Sequence, residues 1–152
     1  MVRQFARWMN VVDSRHQVPP PRLLNVQHRR SKPHIYSDEK ISQLMLEAAR
    51  LKSPNGMKAL TLATFVGLLA ATGLRPGEAA ALEQCNTNLE AQLLTIRQSK
   101  FGKSRLVPIH ASTVAALEHY AQERDRLLPF SHSSHFFVSE CGTDLDLGSV
   151  RR

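Results

Sequence analysis

Two short stretches place cationic side chains where an anion can be gripped from two sides. The first, TGLRPGEAAAL at residues 72–82, sets Arg75 directly before a proline and three residues before Glu78. The second, SKFGKSR at residues 99–105, sets Lys100, Lys103 and Arg105 around a glycine-containing turn. A guanidinium at the mouth of a helix holds a phosphate through two parallel hydrogen bonds, helped by unused backbone N–H groups and the helix dipole. A lysine on a hairpin tip reaches into a groove as a flexible point donor. Arg75 and Lys100 together suit the charge of a phosphodiester, which preorganised cations offset best where water is excluded. On residue types alone the blander reading stays open, because basic hairpin tips are often solvated and an arginine beside a helix start can simply tie down its loop.

Both cations need elements to carry them, and the sequence predicts those elements from capping residues and periodicity. Ser37 suits an N-cap, with Asp38 and Glu39 at the positive end of the helix that follows. Ile41, Leu44, Met45, Ala48 and Leu51 recur at helical spacing until the turn-rich Ser53-Pro54-Asn55-Gly56. A second helix over about 57–72 is apolar on most of its circumference and ends at Gly73, a residue suited to a left-handed C-cap. Pro76 fits the first position of a short helix ending near Gln84. Residues 92–98 and 105–109 read as a β-hairpin with the basic turn at its tip, and Leu89 to Leu94 as part of another strand. Val114, Leu117, Tyr120 and Ala121 restore the helical period through Arg124, Phe136 to Val138 suits an edge strand, and Ser149 suits the N-cap of a last helix.

Upstream the pattern differs. Val2, Phe5, Met9 and Val12 have the spacing of a short amphipathic helix. Residues 14–34 hold four prolines and five Lys or Arg without an apolar period, as an extended linker would. The formal net charge is +7, and residues 1–36 hold seven Lys or Arg against the single acid Asp13. Arg97, Lys100, Lys103 and Arg105 form a second basic cluster without an intervening acid. A polyanion is the natural partner of such a distribution. The two cysteines, Cys85 and Cys141, lack Cys or His neighbours at ligand spacing, which predicts a reduced cytosolic chain with no structural metal. The apolar run 59–71 is shorter than the roughly 20 residues of a membrane span, and no secretory leader pattern opens the chain.

TGLRPGEAAAL, followed 25 residues after Arg75 by KFGKSRLVPI, resembles the tyrosine recombinases, also called phage integrases. YSDEKI at residues 36–41 is similar to the opening of that family's catalytic domain, and FFVSECGTDLDLGSVRR at 136–152 to the strand and loop before its next helix. The resemblance implies an α+β, mainly helical fold: a partial catalytic domain with a small antiparallel sheet, preceded by a lone helix and a linker. The boundaries it implies are a core-binding-domain helix at 1–13, a basic proline-rich linker at 14–36 and the N-terminal portion of the catalytic domain at 37–152.

The family's reaction is a DNA transesterification in which a tyrosine attacks phosphorus, forms a 3′-phosphotyrosyl link and frees a 5′-hydroxyl, with no cofactor and no metal. Carried over by position, Arg75 clamps the phosphate, Lys100 protonates the leaving oxygen, and Glu78 braces the active-site side chains. Lys103 and Arg105 at the hairpin, and Arg29, Arg30 and Lys32 in the linker, are expected to touch phosphates of double-stranded DNA. The family's His-x-x-Arg motif and nucleophilic tyrosine belong downstream of these segments, and no residue of the sequence matches them. Tyr36 and Tyr120, and His110, His132 and His135, are expected to be packing or surface residues.

The expectation is therefore a fragment of a cytoplasmic site-specific recombinase that binds DNA but does not turn over alone. Its full-length parent would self-associate, no membrane is involved, and the apolar 57–72 helix would keep an exposed patch. The alternative is a noncatalytic DNA-binding module that interferes with a complete recombinase.

Overall fold

The computed structural model describes residues 2–20, 33–97 and 103–150, and the chain divides into two compact units, Met1–Ile35 and Tyr36–Arg152. In the first unit, helix α1 spans Val2–Val12 and buries none of its residues. Phe5 and Trp8 lie side by side on it, with ring centroids 6.2 Å apart. Just past its C-terminal end the Asp13 carboxylate accepts from Arg15 Nη2 at 2.7 Å, and near its N-terminal end the Arg3 Nε–H donates to the Pro19 carbonyl at 3.1 Å.

The second unit is α+β and mainly helical. Helix α2, Asp38–Ala49, begins at Ser37, whose hydroxyl accepts from the Lys40 N–H. Ile41, Met45 and Ala48 form its inward stripe, whereas Leu44 is exposed and Leu51 lies beyond the helix end, so the packed face is narrower than the sequence period suggests. Opposite Met45 sits Gly67 of helix α3, Met57–Thr72. A Cβ at Gly67 would lie 2.9 Å from the Met45 terminal methyl, so the glycine admits that side chain.

α3 starts where Asn55 Oδ1 and Ser53 Oγ accept from the N–H groups of Met57 and Lys58, and ends at Gly73 with φ at +65°, in the left-handed region. None of its large apolar side chains is exposed. The expected exposed patch is not seen on α3, which α2, helix α5 (Ala111–Leu127) and the run 136–138 together cover; the exposed leucines of the helices around it are Leu44 and Leu46 of α2.

Helix α4 spans only Pro76–Ala80 and stops short of the predicted Gln84, because Leu82 turns into the core. A 3₁₀ turn at Gln84–Asn86 leads into strand β1, Thr87–Asn88, which pairs antiparallel with β2, Leu93–Ile96. Residues 89–92 are thus the turn and not a strand, with Gln92 at φ +55°. β2 pairs with β3, Arg105–Pro108, in the register Leu93↔Pro108 to Ile96↔Arg105, giving a sheet ordered β1-β2-β3. α5 takes His110 as its N-cap, the ring Nδ1 accepting from the Ser112 N–H. The last helix, α6 at Leu147–Val150, contains Ser149; the Asp146 carboxylate accepts from the Gly148 N–H and takes the capping role predicted for the serine.

Phe136-Phe137-Val138 forms no ladder, only one isolated bridge just before it, Glu83↔His135, and one at its last residue, Val138↔Asp144. It threads the core instead, with all three side chains buried. A buried backbone needs partners, and most of these come from side chains. Phe136 donates its N–H to the Leu82 carbonyl at 2.7 Å and accepts from Arg124 Nη1 at 3.0 Å. Val138 donates to the Tyr120 hydroxyl at 3.1 Å and accepts from Thr61 Oγ1 at 3.0 Å. Phe137 packs edge-on against Phe65 and Phe136, and tilted on Tyr120. Tyr120→Phe therefore keeps the ring but leaves the Val138 N–H without its acceptor. We expect a loss of about 1–3 kcal/mol, read as a lower urea midpoint at unchanged slope.

Candidate phosphate-binding site

Leu74 is buried, which fixes the short connection between α3 and α4 and leaves Arg75 at the surface as the N-cap of α4. Its side chain is 65% exposed, a reach available to a ligand. Glu78, three residues on, is the opposite case: its side chain is only 9% exposed. The Glu78 carboxylate accepts four hydrogen bonds, the full capacity of its two oxygens. Arg75 supplies its backbone N–H at 3.1 Å to Oε2 and Nη1 at 3.2 Å to Oε1. Arg105, the first residue of β3, supplies Nη2 at 2.7 Å to Oε2 and Nη1 at 3.1 Å to Oε1, a bidentate fork.

The Arg105 fork is the main reason the Glu78 carboxyl is held down at about 2, with the Arg75 bonds adding to it against the opposing effect of burial. Glu78 is ionised throughout the neutral range, and two guanidiniums around one carboxylate leave the cluster one net positive charge. Arg97 and Lys103 are both exposed at the flanks of the same hairpin. Beside the cluster lies a concavity of about 440 Å³ bounded by Glu78, Glu83, Asn86, Thr95, Arg97 and His135.

Several sequence expectations need adjustment. The mouth of α4 does not present a set of unused N–H groups, since the Arg75 N–H is taken by Glu78 and the Glu78 and Ala79 N–H groups bond to the Arg75 carbonyl. A five-residue helix also has little dipole, so anion affinity here rests on guanidinium. Arg105, expected at a phosphate, turns its Nη pair to Glu78 while its side chain stays 42% exposed. Lys100, Arg29, Arg30 and Lys32 lie outside the described residues.

Among the described residues no His, Cys, Asp or Glu group is arranged to hold a metal. Tyr120 is fully buried, and burial pushes its phenol up; Tyr36 is at the surface, before α2. His135 Nδ1 comes within 3.0 Å of the Asp144 carboxylate, outside hydrogen-bonding alignment. The Glu78–Arg105 pairing, across 27 residues, has no local sequence signal.

The phage integrase family model matches residues 35–151. The chain is 40% identical over 99% of its length to y4rB of Sinorhizobium fredii, which carries an integrase/recombinase name, covering 49% of that protein. It is 30% identical over 84% of its length to the tyrosine recombinase XerD of Caulobacter vibrioides, covering 41% of it. The chain thus spans about half the length of the curated relatives it matches. Among solved structures, the XerA recombinase superposes with a TM-score of 0.59 at 24% identity, over 95% of this chain and 48% of the other. XerH, crystallised with its difH substrate in a pre-cleavage complex, gives 0.58 at 18% identity, over 90% and 38%.

Because the folded Glu78 carboxyl lies below its ordinary 4.5, the unfolded chain binds more protons between the two values. Stability from this cluster is complete above about 4.5 and declines as pH falls toward about 2. Glu78→Gln should flatten that part of a stability–pH curve and lower stability at pH 7, as measured by urea titrations at a series of pH values.

Proposed function

The chain belongs to the phage integrase family of tyrosine recombinases, and from that membership we propose that it binds double-stranded DNA and grips one phosphodiester with Arg75 and Lys100. The observation that carries this reading is the exposed Arg75 guanidinium, anchored through one nitrogen to a buried, ionised Glu78. Such anchoring limits the reorganisation a guanidinium needs when charge builds on a nonbridging oxygen. In a longer family member that supplies the attacking tyrosine, the group matching Arg75 would stabilise the phosphorane-like transition state, and the one matching Lys100 would protonate the 5′-oxygen as its bond to phosphorus breaks and the tyrosine–phosphorus bond forms. Lys103, Arg29, Arg30 and Lys32 hold the duplex backbone and set register without reading sequence. XerH, a structural relative, is described with a DNA substrate, which supports DNA as the partner.

In this reading the work of residues 1–152 is binding, not turnover. Groups that act as one catalytic unit fail together when one is missing, and neither described tyrosine suits attack: Tyr120 is walled into the core and Tyr36 precedes the domain's first helix. The chain acts in the cytoplasm, where its DNA lies, and no helix among the described residues is long and apolar enough to cross a membrane.

Fluorescence-anisotropy titration of a labelled duplex across a salt series tests the DNA reading. The affinity should fall steeply with salt, with a log–log slope of about 0.9 per phosphate contacted, and Arg75→Ala should weaken binding by roughly tenfold and remove about one contact from the slope. No binding at low salt, or an Arg75→Ala titration identical to wild type, sinks the proposal. A nicked suicide duplex should give no covalent adduct with this chain.

A further inference from the structure

Resting on Arg75 as the phosphate clamp, we propose that Arg105 is a positioning residue that acts through Glu78: its fork latches the base of the β2–β3 hairpin to the start of α4, setting where Arg75 stands. The hairpin residues flanking the tip, Ile96 and Arg105, are cross-strand partners, so Arg105 sits where the ladder ends and the basic tip begins. From there it spans to Glu78 with both terminal nitrogens, at 2.7 and 3.1 Å. Those two nitrogens make the end-on fork with which an arginine takes either a carboxylate or a phosphate. Glu78 occupies that fork, which leaves Arg105 only its Nε side and outer hydrogens toward solvent.

The same carboxylate holds Arg75 by backbone and side chain, so one buried acid relates the clamp on α4 to the strand that leads out of the tip. Without Arg105, Glu78 loses its two-pronged partner and is left with contacts from a residue that is itself largely solvated. Its carboxylate then gains freedom to rotate, and Arg75 loses a fixed anchor. Lysine cannot stand in, since a single ammonium on a flexible stem matches neither the planarity nor the two parallel bonds. A phosphate contact would tolerate that exchange better, because much of its worth is a point charge released against counterions.

The two roles part in a double-mutant cycle on the duplex titration, using the chain as it stands and the variants Arg75→Ala, Arg105→Ala, Arg105→Lys, Lys103→Ala and their combinations with Arg75→Ala. If Arg105 positions Arg75, Arg105→Ala and Arg75→Ala each weaken binding by roughly tenfold, and the double variant is no weaker than Arg75→Ala alone. Arg105→Lys then behaves like Arg105→Ala, and the salt slope falls by about 0.9 in all of them. Lys103→Ala, removing an independent contact, adds to Arg75→Ala.

A carbon-13 titration of the Glu78 carboxyl reads the latch without DNA and without Arg75 binding anything. Its midpoint should rise from about 2 toward the ordinary 4.5 in both Arg105 variants. Where Arg105→Ala fails to fold, Arg105→Lys carries both measurements. Additive losses for Arg75 and Arg105, a slope reduced by two contacts in the double variant, or full activity of Arg105→Lys in binding overturn the latch while leaving the Arg75 clamp standing. An Arg75→Ala titration identical to wild type overturns the clamp, and the latch with it.

Discussion

The second unit is organised around a buried stretch of backbone that has no sheet to belong to. Phe136-Phe137-Val138 carries enough apolar surface to be drawn fully inside, and its polar groups must then be satisfied there. Tyr120 and Arg124 of α5, Thr61 of α3 and the carbonyl of Leu82 satisfy them. One three-residue run thus ties together the two longest helices and the segment just after α4. Arg124, a buried cation, fits the same logic: its guanidinium is spread over the Phe136 carbonyl, the Gln84 side chain and Asp125, and lies over the Phe136 ring.

That fastening has a consequence at the surface. Leu82 is held from below by the run and Leu74 is buried on the other side of α4, so a helix of five residues, too short to persist alone, has both flanks in the core. Arg75 is displayed on that rigid mount. The second support is electrostatic: Glu78 is buried enough for its bonds to matter and fully enough bonded for its charge to be tolerated. The buried acid therefore belongs to the design of the site, since without it two guanidiniums close together would repel and swing apart.

Much of the chemistry was legible from the chain. Arg75, Pro76 and Glu78 announce a helix start with a cation outside it, and the α3 boundaries follow from Asn55-Gly56 and Gly73 because those positions need side-chain caps or positive φ. The hairpin follows from branched residues flanking a glycine turn. Other elements are not legible locally. Leu89 to Leu94, part of a strand by sequence, is divided by a turn with Gln92 at positive φ. Phe136 to Val138 suits an edge strand by sequence yet pairs in no ladder, because β-propensity reflects packed, half-extended surroundings and not ladder partners. His110 is exposed, as its sequence suggests; the cap it makes on α5 goes unannounced, since imidazole lacks the frequency that makes Ser or Asp conspicuous there.

The sequence by itself determined the kinds of group available: cations at 75, 100, 103 and 105, an acid at 78, the basic proline-rich segment, and family membership carried by those short motifs. Local rules suffice there, because caps, turns and charge runs act over a few residues. Tertiary structure alone decided that Arg105 turns toward Glu78, that Tyr120 is an internal hydrogen-bonding post, and that α3 is covered while α2 shows leucines to solvent. Each of those outcomes depends on which distant groups compete for one buried acceptor or one apolar face. That competition is settled by burial and geometry across the whole fold, which no local spacing encodes.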